Sequence, residues 1–217
     1  MAASTSSATS TRCGVRIRWQ STRPGKTRHS VELARRYFQW TGPATLAEFQ
    51  WFSALGVKAA KAAIEPLGLR DAGEGRLLPA ALVDELAAYT LPKEPRYALV
   101  SSIDSSLLLR RDTKSMLDGE DLRSLVQGEK GRIELGSLAD LPSHAILDRG
   151  RIAGLWEFDT ETESIVWATF RKPDAALKKA VKEMEEFVRT GLGDARSFSL
   201  DSPKSRAPRV ASLRAGF

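Results

Sequence analysis

Three acids crowd one short stretch, Asp159, Glu161 and Glu163. Neighbouring carboxylates can share general acid–base work. These three, however, fall in a turn between two strand patterns, where they repel one another, and they read as a solvated hairpin tip. His29 and His144 stand far apart and Cys13 is the single cysteine, so no zinc spacing exists and no metal or cofactor is expected. Asp148 follows His144 by four residues, which puts both on the same side of a strand, yet no nucleophile accompanies them. Four serines between Ser101 and Ser106 surround Asp104 without the glycines of a nucleophile elbow. No glycine loop that could cradle a phosphate is present. No catalytic residue is therefore assigned. What remains is cationic: Arg16, Arg18, Arg23, Lys26, Arg28, Lys58, Lys61, Arg149 and Arg151. Their chemistry would be phosphate binding.

The elements that must position these cations begin with VELARRYFQW, residues 31–40, where Val31, Ala34, Tyr37 and Phe38 share one helical face. Gly42-Pro43 ends that helix, since proline cannot continue the hydrogen-bond ladder. Thr45, with Glu48 three residues on, forms a capping box for a second helix that buries Leu46, Phe49 and Phe52 and breaks at Gly56. A third helix puts Val57, Ala60, Ile64 and Leu67 inward and Lys58, Lys61 and Glu65 outward. The chain then turns through Ala72-Gly73-Glu74-Gly75 and returns through Arg76 to Leu78. Helix, helix–turn–helix and hairpin is the order of a winged helix, a fold that commonly holds duplex DNA. Two lysines on an alanine surface supply charge and close approach but little discrimination between bases, so the contacts expected are to the sugar-phosphate backbone. A winged helix that merely docks another protein is the alternative.

Charge is unevenly spread along the 217 residues. Residues 1–31 carry six basic side chains and no acid, and the segment after Asp201 carries four, Lys204, Arg206, Arg209 and Arg214, again with no acid. Removing those ten from the 33 Lys and Arg leaves 23 against 27 acids, so the middle is mildly acidic. Basic arms beside a winged helix suit phosphate contacts, because each neutralised phosphate releases counterions; ordinary solubilising termini are the alternative. Val15, Ile17 and Trp19 alternate with Arg16, Arg18 and Gln20, a half-buried strand with a basic outer face. Ser202-Pro203-Lys204-Ser205-Arg206 reads as a weak candidate for a minor-groove arm.

Beyond the hairpin, residues 82–89 read as a short helix, Tyr97 to Val100 as a strand, and Asp118 to Lys130 as a surface helix plus loop. Ala145-Ile146-Leu147 turns at Asp148-Arg149-Gly150 into Arg151 to Trp156, a hairpin whose arginines could probe a minor groove. Ser164 to Phe170 returns as a third strand. A helix from Pro173 to Thr190 covers these strands with Leu177, Ala180, Val181, Met184, Phe187 and Val188. Trp40, Trp51, Trp156 and Trp167 fall on apolar patterns and read as core rather than as base-stacking platforms. The fold class is α+β: a winged helix-turn-helix followed by an antiparallel β-rich domain covered by a C-terminal amphipathic helix. The expected divisions are a disordered start, 1–14; a basic strand plus winged helix, 15–95; a β-rich domain, 96–200; and a basic disordered tail, 201–217.

ELARRYFQWTGPATLAEFQWFSALG resembles the last winged-helix unit of the AlkZ/YcaQ-type DNA glycosylases and their winged-helix relatives. SHAILDRGRIAGLWEFD followed by SIVWATF is similar to the β-rich C-terminal part of the same family, so the resemblance spans about residues 15–187. It implies DNA binding and, in some members, excision of alkylated or crosslinked bases. It also implies an N-terminal Gln-x-Gln or Gln-x-Asp motif. The four glutamines here read Gln20-Ser-Thr, Gln39-Trp-Thr, Gln50-Trp-Phe and Gln127-Gly-Glu, so that motif is absent from this chain. The chain enters the family pattern late, at VRIRWQ, as if upstream domains or a partner chain supplied the rest. Duplex DNA, bound with weak sequence preference, is the expected partner. An active or partner-complemented glycosylase is the alternative.

The length allows a substantial core. No apolar run approaches the ~20 residues of a membrane helix, so no membrane partner is expected. The first twelve residues, rich in Ser, Thr and Ala with one arginine, faintly resemble a transit peptide but read better as a disordered start. The expected location is cytoplasmic and nucleoid-associated.

Overall fold

The computed structural model describes residues 27–128, 130–198 and 200–217. The chain is a mixed helix-and-sheet protein with three separate hydrophobic clusters, one in its first third and two on opposite faces of a sheet. The expected basic strand, with Val15, Ile17 and Trp19, lies outside the described residues, as does the expected disordered start.

Helix α1 (Thr27–Thr41) buries Ala34, Tyr37 and Phe38. Thr41 Oγ1 donates to the Tyr37 carbonyl at 2.6 Å and Gly42 N donates to the Phe38 carbonyl at 3.0 Å, closing the last turn. A Cβ on Gly42 would sit 2.4 Å from that same carbonyl oxygen, so only glycine fits the exit. The Gly42–Pro43 peptide is cis. Strand β1 (Ala44–Thr45) leads directly into α2 (Leu46–Ser53). The capping box is present: Glu48 N donates to Thr45 Oγ1 at 3.1 Å and Thr45 N donates to Glu48 Oε2 at 2.5 Å. Helix α2 does not break at Gly56. It ends with Ala54 in the left-handed region (φ 54°), and Gly56 instead forms the N-terminal cap of α3 (Val57–Ile64).

The hairpin of β2 (Arg70–Asp71) and β3 (Arg76–Leu78) adds to β1 in the antiparallel order β1-β3-β2. Glu48 and Arg76 join this small sheet to α2 at 3.2 Å, and Arg76 Nη2 reaches Asp112 at 2.8 Å, tying the first third to the rest of the chain. A short 3-10 turn precedes α4 (Val83–Ala88).

The larger sheet contains β4 (Tyr97–Val100), β7 (His144–Asp148), β8 (Arg151–Asp159) and β9 (Ser164–Thr169), all antiparallel, in the order β4-β7-β8-β9. Between β4 and β7 lie α5 (Ser105–Leu108) and a small hairpin, β5 (Leu125–Gly128) with β6 (Gly131–Glu134). The surface helix expected over Asp118 to Lys130 is therefore a 3-10 turn followed by a strand. Glu120, Arg123 and Lys130 are exposed, as either element would allow, while Asp121 is buried and bonded to Arg171 at 3.1 Å. Alternation divides the large sheet into two faces. Ile146, Trp156, Phe158 and Ile165 meet Leu177, Val181 and Val188, which belong to α6 (Ala175–Phe187) and the π-turn that extends it. Ala145, Leu147, Leu155 and Val166 meet Val210 and Leu213 of α7 (Pro203–Ala215). A bulge at Ala153 puts Ile152 and Leu155 on the same face.

Details of α6 differ from expectation. It starts at Ala175 rather than Pro173, capped by Asp174, which accepts from Leu177 N at 2.7 Å, and Phe187, expected on the covering stripe, is exposed. The disordered basic tail is overturned more thoroughly, because residues 203–215 form α7, which lies on the sheet. Arg206 is 1% exposed. Its Nη1 donates to Asp194 at 2.7 Å and to the Phe158 carbonyl at 2.6 Å. Arg209 donates to Glu157 at 2.6 Å and to both oxygens of Asp201 at 2.9 and 3.0 Å. Ser202, read as part of a groove-seeking arm, is the cap of α7. Acids outside the segment, from Asp201 at its edge to Glu157 52 positions before Arg209, neutralise these two arginines, which the segment's own charge could not reveal.

Candidate nucleic-acid interface

Helix α3 lies close against α1 because its inward residues, Ala60 and Ala63, are small and fully buried. The expectation of an inward Val57 fails: that side chain is 55% exposed, and Ala63 takes its place. The opposite face carries Lys58, Ala59, Lys61 and Ala62, all in solvent. Lys58 and Lys61 are three residues apart, hence neighbours on one side of the helix. Neither makes an ion pair among the described residues, so both charges are available to an anion.

The hairpin beside α3 contributes no such surface. Its turn is tight, with Gly73, Glu74 and Gly75 at φ of 100°, 54° and 70°, and Asp71 accepts from Gly73 N at 2.8 Å. Exposed Arg70 is outweighed by exposed Asp71 and Glu74, while Arg76 is held by Glu48 and Asp112.

The other cations sort cleanly. Arg28 is exposed in the first turn of α1. Arg16, Arg18, Arg23 and Lys26 lie outside the described residues. Arg149 and Arg151 do not project as a hairpin probe. Arg149 grips Asp148 at 2.8 Å and the Pro92 and Lys93 carbonyls at 3.3 and 3.2 Å, and the bond to Asp148 raises the pKa of its guanidinium. Arg151 is held by Asp118 at 3.1 Å and the Ser115 carbonyl at 2.9 Å. Both arginines fasten the β7–β8 turn to neighbouring segments, so a groove contact would first have to break those bonds.

The candidate acid–base groups are structural. Asp159 is buried rather than solvated. Burial works against its charge, but bonds from Glu161 N and Thr162 and the nearby Arg214 hold its carboxyl below the usual range. His144 is 1% exposed; burial drives its pKa down to about 4, and Arg206 and Arg209 push the same way. Its Nδ1 accepts from Ser102 N at 3.0 Å, so the neutral ring carries its proton on Nε2, 3.3 Å from the Ala195 carbonyl. Burial also pushes the Glu157 carboxyl up, opposed by Arg209. Among the described residues no cluster of His, Cys, Asp or Glu could hold a metal ion. Nor is any helix among them long and apolar enough to cross a membrane.

Two tryptophans depart from the core expectation. Trp40 is 84% exposed and Trp51 51% exposed, whereas Trp156 is buried. On α1 the buried stripe runs from Ala34 through Tyr37 and Phe38 to Thr41, so Trp40 is out of phase with it. Trp51, two residues after buried Phe49, is equally off-stripe, and Arg111 lies 4.6 Å above its ring. Helical phase was the available signal; residue type alone misled.

A family model described as "AlkZ-like: DNA glycosylase AlkZ-like" matches residues 9–189. The solved structure of Streptomyces sahachiroi DNA glycosylase AlkZ is similar at 20% identity and a TM-score of 0.56, over 78% of this chain and 44% of that one. The chain thus spans less than half of that structure, and a likeness at this identity concerns the fold. No curated protein matches the sequence.

Proposed function

Because this chain belongs to the AlkZ-like DNA glycosylase family, we propose that it binds duplex DNA, with residues 27–78 acting as a winged helix. Helix α3 is its recognition helix, and it touches mainly the sugar-phosphate backbone. The observation that carries this reading is the exposed face of α3, where two lysines with no ion-pair partner among the described residues flank alanines. Lysine can neutralise a phosphate, and alanine lets the helix approach closely without reading a base edge. Weak sequence preference is the consequence. The paired Arg149 and Arg151 and the near-neutral hairpin leave α3 and the residues around Arg28 as the principal contact surface. We place such a protein in the cytoplasm, on the nucleoid.

The Gln-x-Gln or Gln-x-Asp motif associated with base excision is absent from this chain. On this reading the chain binds without excising. The family match favours a second reading, in which another region or a partner chain supplies the glutamines. One experiment separates them: binding to unrelated duplexes by fluorescence anisotropy, with parallel incubation on alkylated and crosslinked DNA. Binding that varies only a few-fold between sequences, with no abasic product, supports the first. Abasic product from this chain alone would overturn it, and no binding at low salt would remove both in favour of a protein-docking module.

A further inference from the structure

The exposed Trp40 is not isolated on the surface. It walls a cleft of about 530 Å³ between the end of α1, α5 and the β7–β8 turn. That volume falls within the roughly 300–1,000 Å³ of small-molecule sites. Leu109 and Met116 give the cleft an apolar lining, and Ser105 and Ser106 bring hydroxyl groups to it. Arg110 also lines it, fixed by a 2.7 Å bond from Nη2 to the Thr41 carbonyl. A carbonyl orients a guanidinium but does not cancel its charge. Adjacent Arg111 is neutralised by Asp140, whereas Arg110 has no ion-pairing carboxylate among the described residues.

An indole, the hydroxyl of Ser105, the oxygen of Ser106 (which donates its own proton to Asp104 at 2.6 Å and so can only accept) and a cation with no ion-pairing carboxylate among the described residues form a set suited to a base and its phosphate. Stacking takes any π-face, the hydroxyls can meet heteroatoms on the base edge, and the guanidinium suits phosphate geometry. We propose that this cleft receives one unstacked nucleobase of a bound nucleic-acid strand, with Trp40 against the ring and Arg110 toward the adjoining phosphate. The inference rests on the DNA-binding reading above and adds the state of the base that is taken. That base can come from an extruded nucleotide in a duplex or from a single strand. An aliphatic protein side chain would fill the apolar lining but leave the hydroxyls and the cation unmatched.

The test compares four probes of one sequence: a fully paired duplex, a duplex with one unpaired base, the same duplex with an abasic analogue at that position, and the single strand. The wild-type chain should prefer the unpaired base over the abasic analogue by about 5- to 150-fold, the range of one base–aromatic stack. Trp40→Ala should abolish that ratio while keeping affinity for the paired duplex, and Trp40→Phe should restore part of it. Lys58→Ala/Lys61→Ala should weaken all the probes and leave the ratio intact. A ratio near one in wild type, or one unchanged by Trp40→Ala, would overturn the cleft assignment while the backbone-binding reading stood. Tighter binding of the single strand than of the unpaired-base duplex would identify an open strand as the source. Loss of all binding would refute the DNA reading itself. Since Trp40 is 84% exposed, unchanged thermal melting of its variants is the expected folding control.

Discussion

In the first third of the chain, the lysines of α3 stand in water without ion-pair partners among the described residues, whereas in the sheet half Arg206 and Arg209 of α7 turn inward onto Glu157, Asp194 and Asp201. The β7–β8 turn lies between the two, with Arg149 and Arg151 exposed yet both bonded to neighbouring segments. The contrast shows that a basic segment is not by itself a basic surface. Whether a cation is available depends on which acids the fold brings to it.

The largest expected effect lies in the sheet half. Arg209→Ala leaves Glu157 buried without its closest cation, and removing one partner of such a pair costs about 3–5 kcal/mol. Urea midpoints at neutral pH should fall accordingly; a loss under about 1 kcal/mol would mean that the network is solvated and the contrast false. The next effect is acid sensitivity. The folded-state pKa of His144, about 4, lies below its ordinary value of 6.5. The unfolded chain therefore takes up this proton first as pH falls. The stability linked to the neutral ring is intact above pH 6.5 and is lost as pH falls toward 4. The difference amounts to about 3 kcal/mol. His144→Asn keeps an acceptor for Ser102 and cannot protonate, so its stability profile should be flatter across that window.

Smaller effects belong to the first third. Thr45→Ala removes the cap of α2 and should cost about 1 kcal/mol in denaturant unfolding. Lys58→Ala/Lys61→Ala should shift stability by no more than about 0.5 kcal/mol, as exposed positions do. A larger shift would show those lysines to be structural and would blur the comparison.

Much of this architecture was legible because its signals are local. The Thr45–Glu48 capping box, the hairpin turn at Gly73–Gly75 and the β7–β8–β9 strands each arise from residues within a few positions of one another. The illegible parts depended on distance. Arg206 and Asp194 are 2.7 Å apart yet separated by the cap of α7, and Arg209 meets Glu157 across 52 positions. The exposure of Trp40 required helical phase to override side-chain type. Of the site itself, Lys58 and Lys61 could be read from periodicity, but Arg110 could not, because its place depends on where α5 meets the end of α1.

The salt dependence of duplex binding tests the central claim most directly, with wild type and Lys58→Ala/Lys61→Ala measured side by side. The logarithm of affinity should fall linearly with the logarithm of salt concentration. If each lysine neutralises one phosphate, the double variant should have a slope shallower by about 1.8. Parallel, superimposable lines would show that α3 touches no phosphate and would contradict the account.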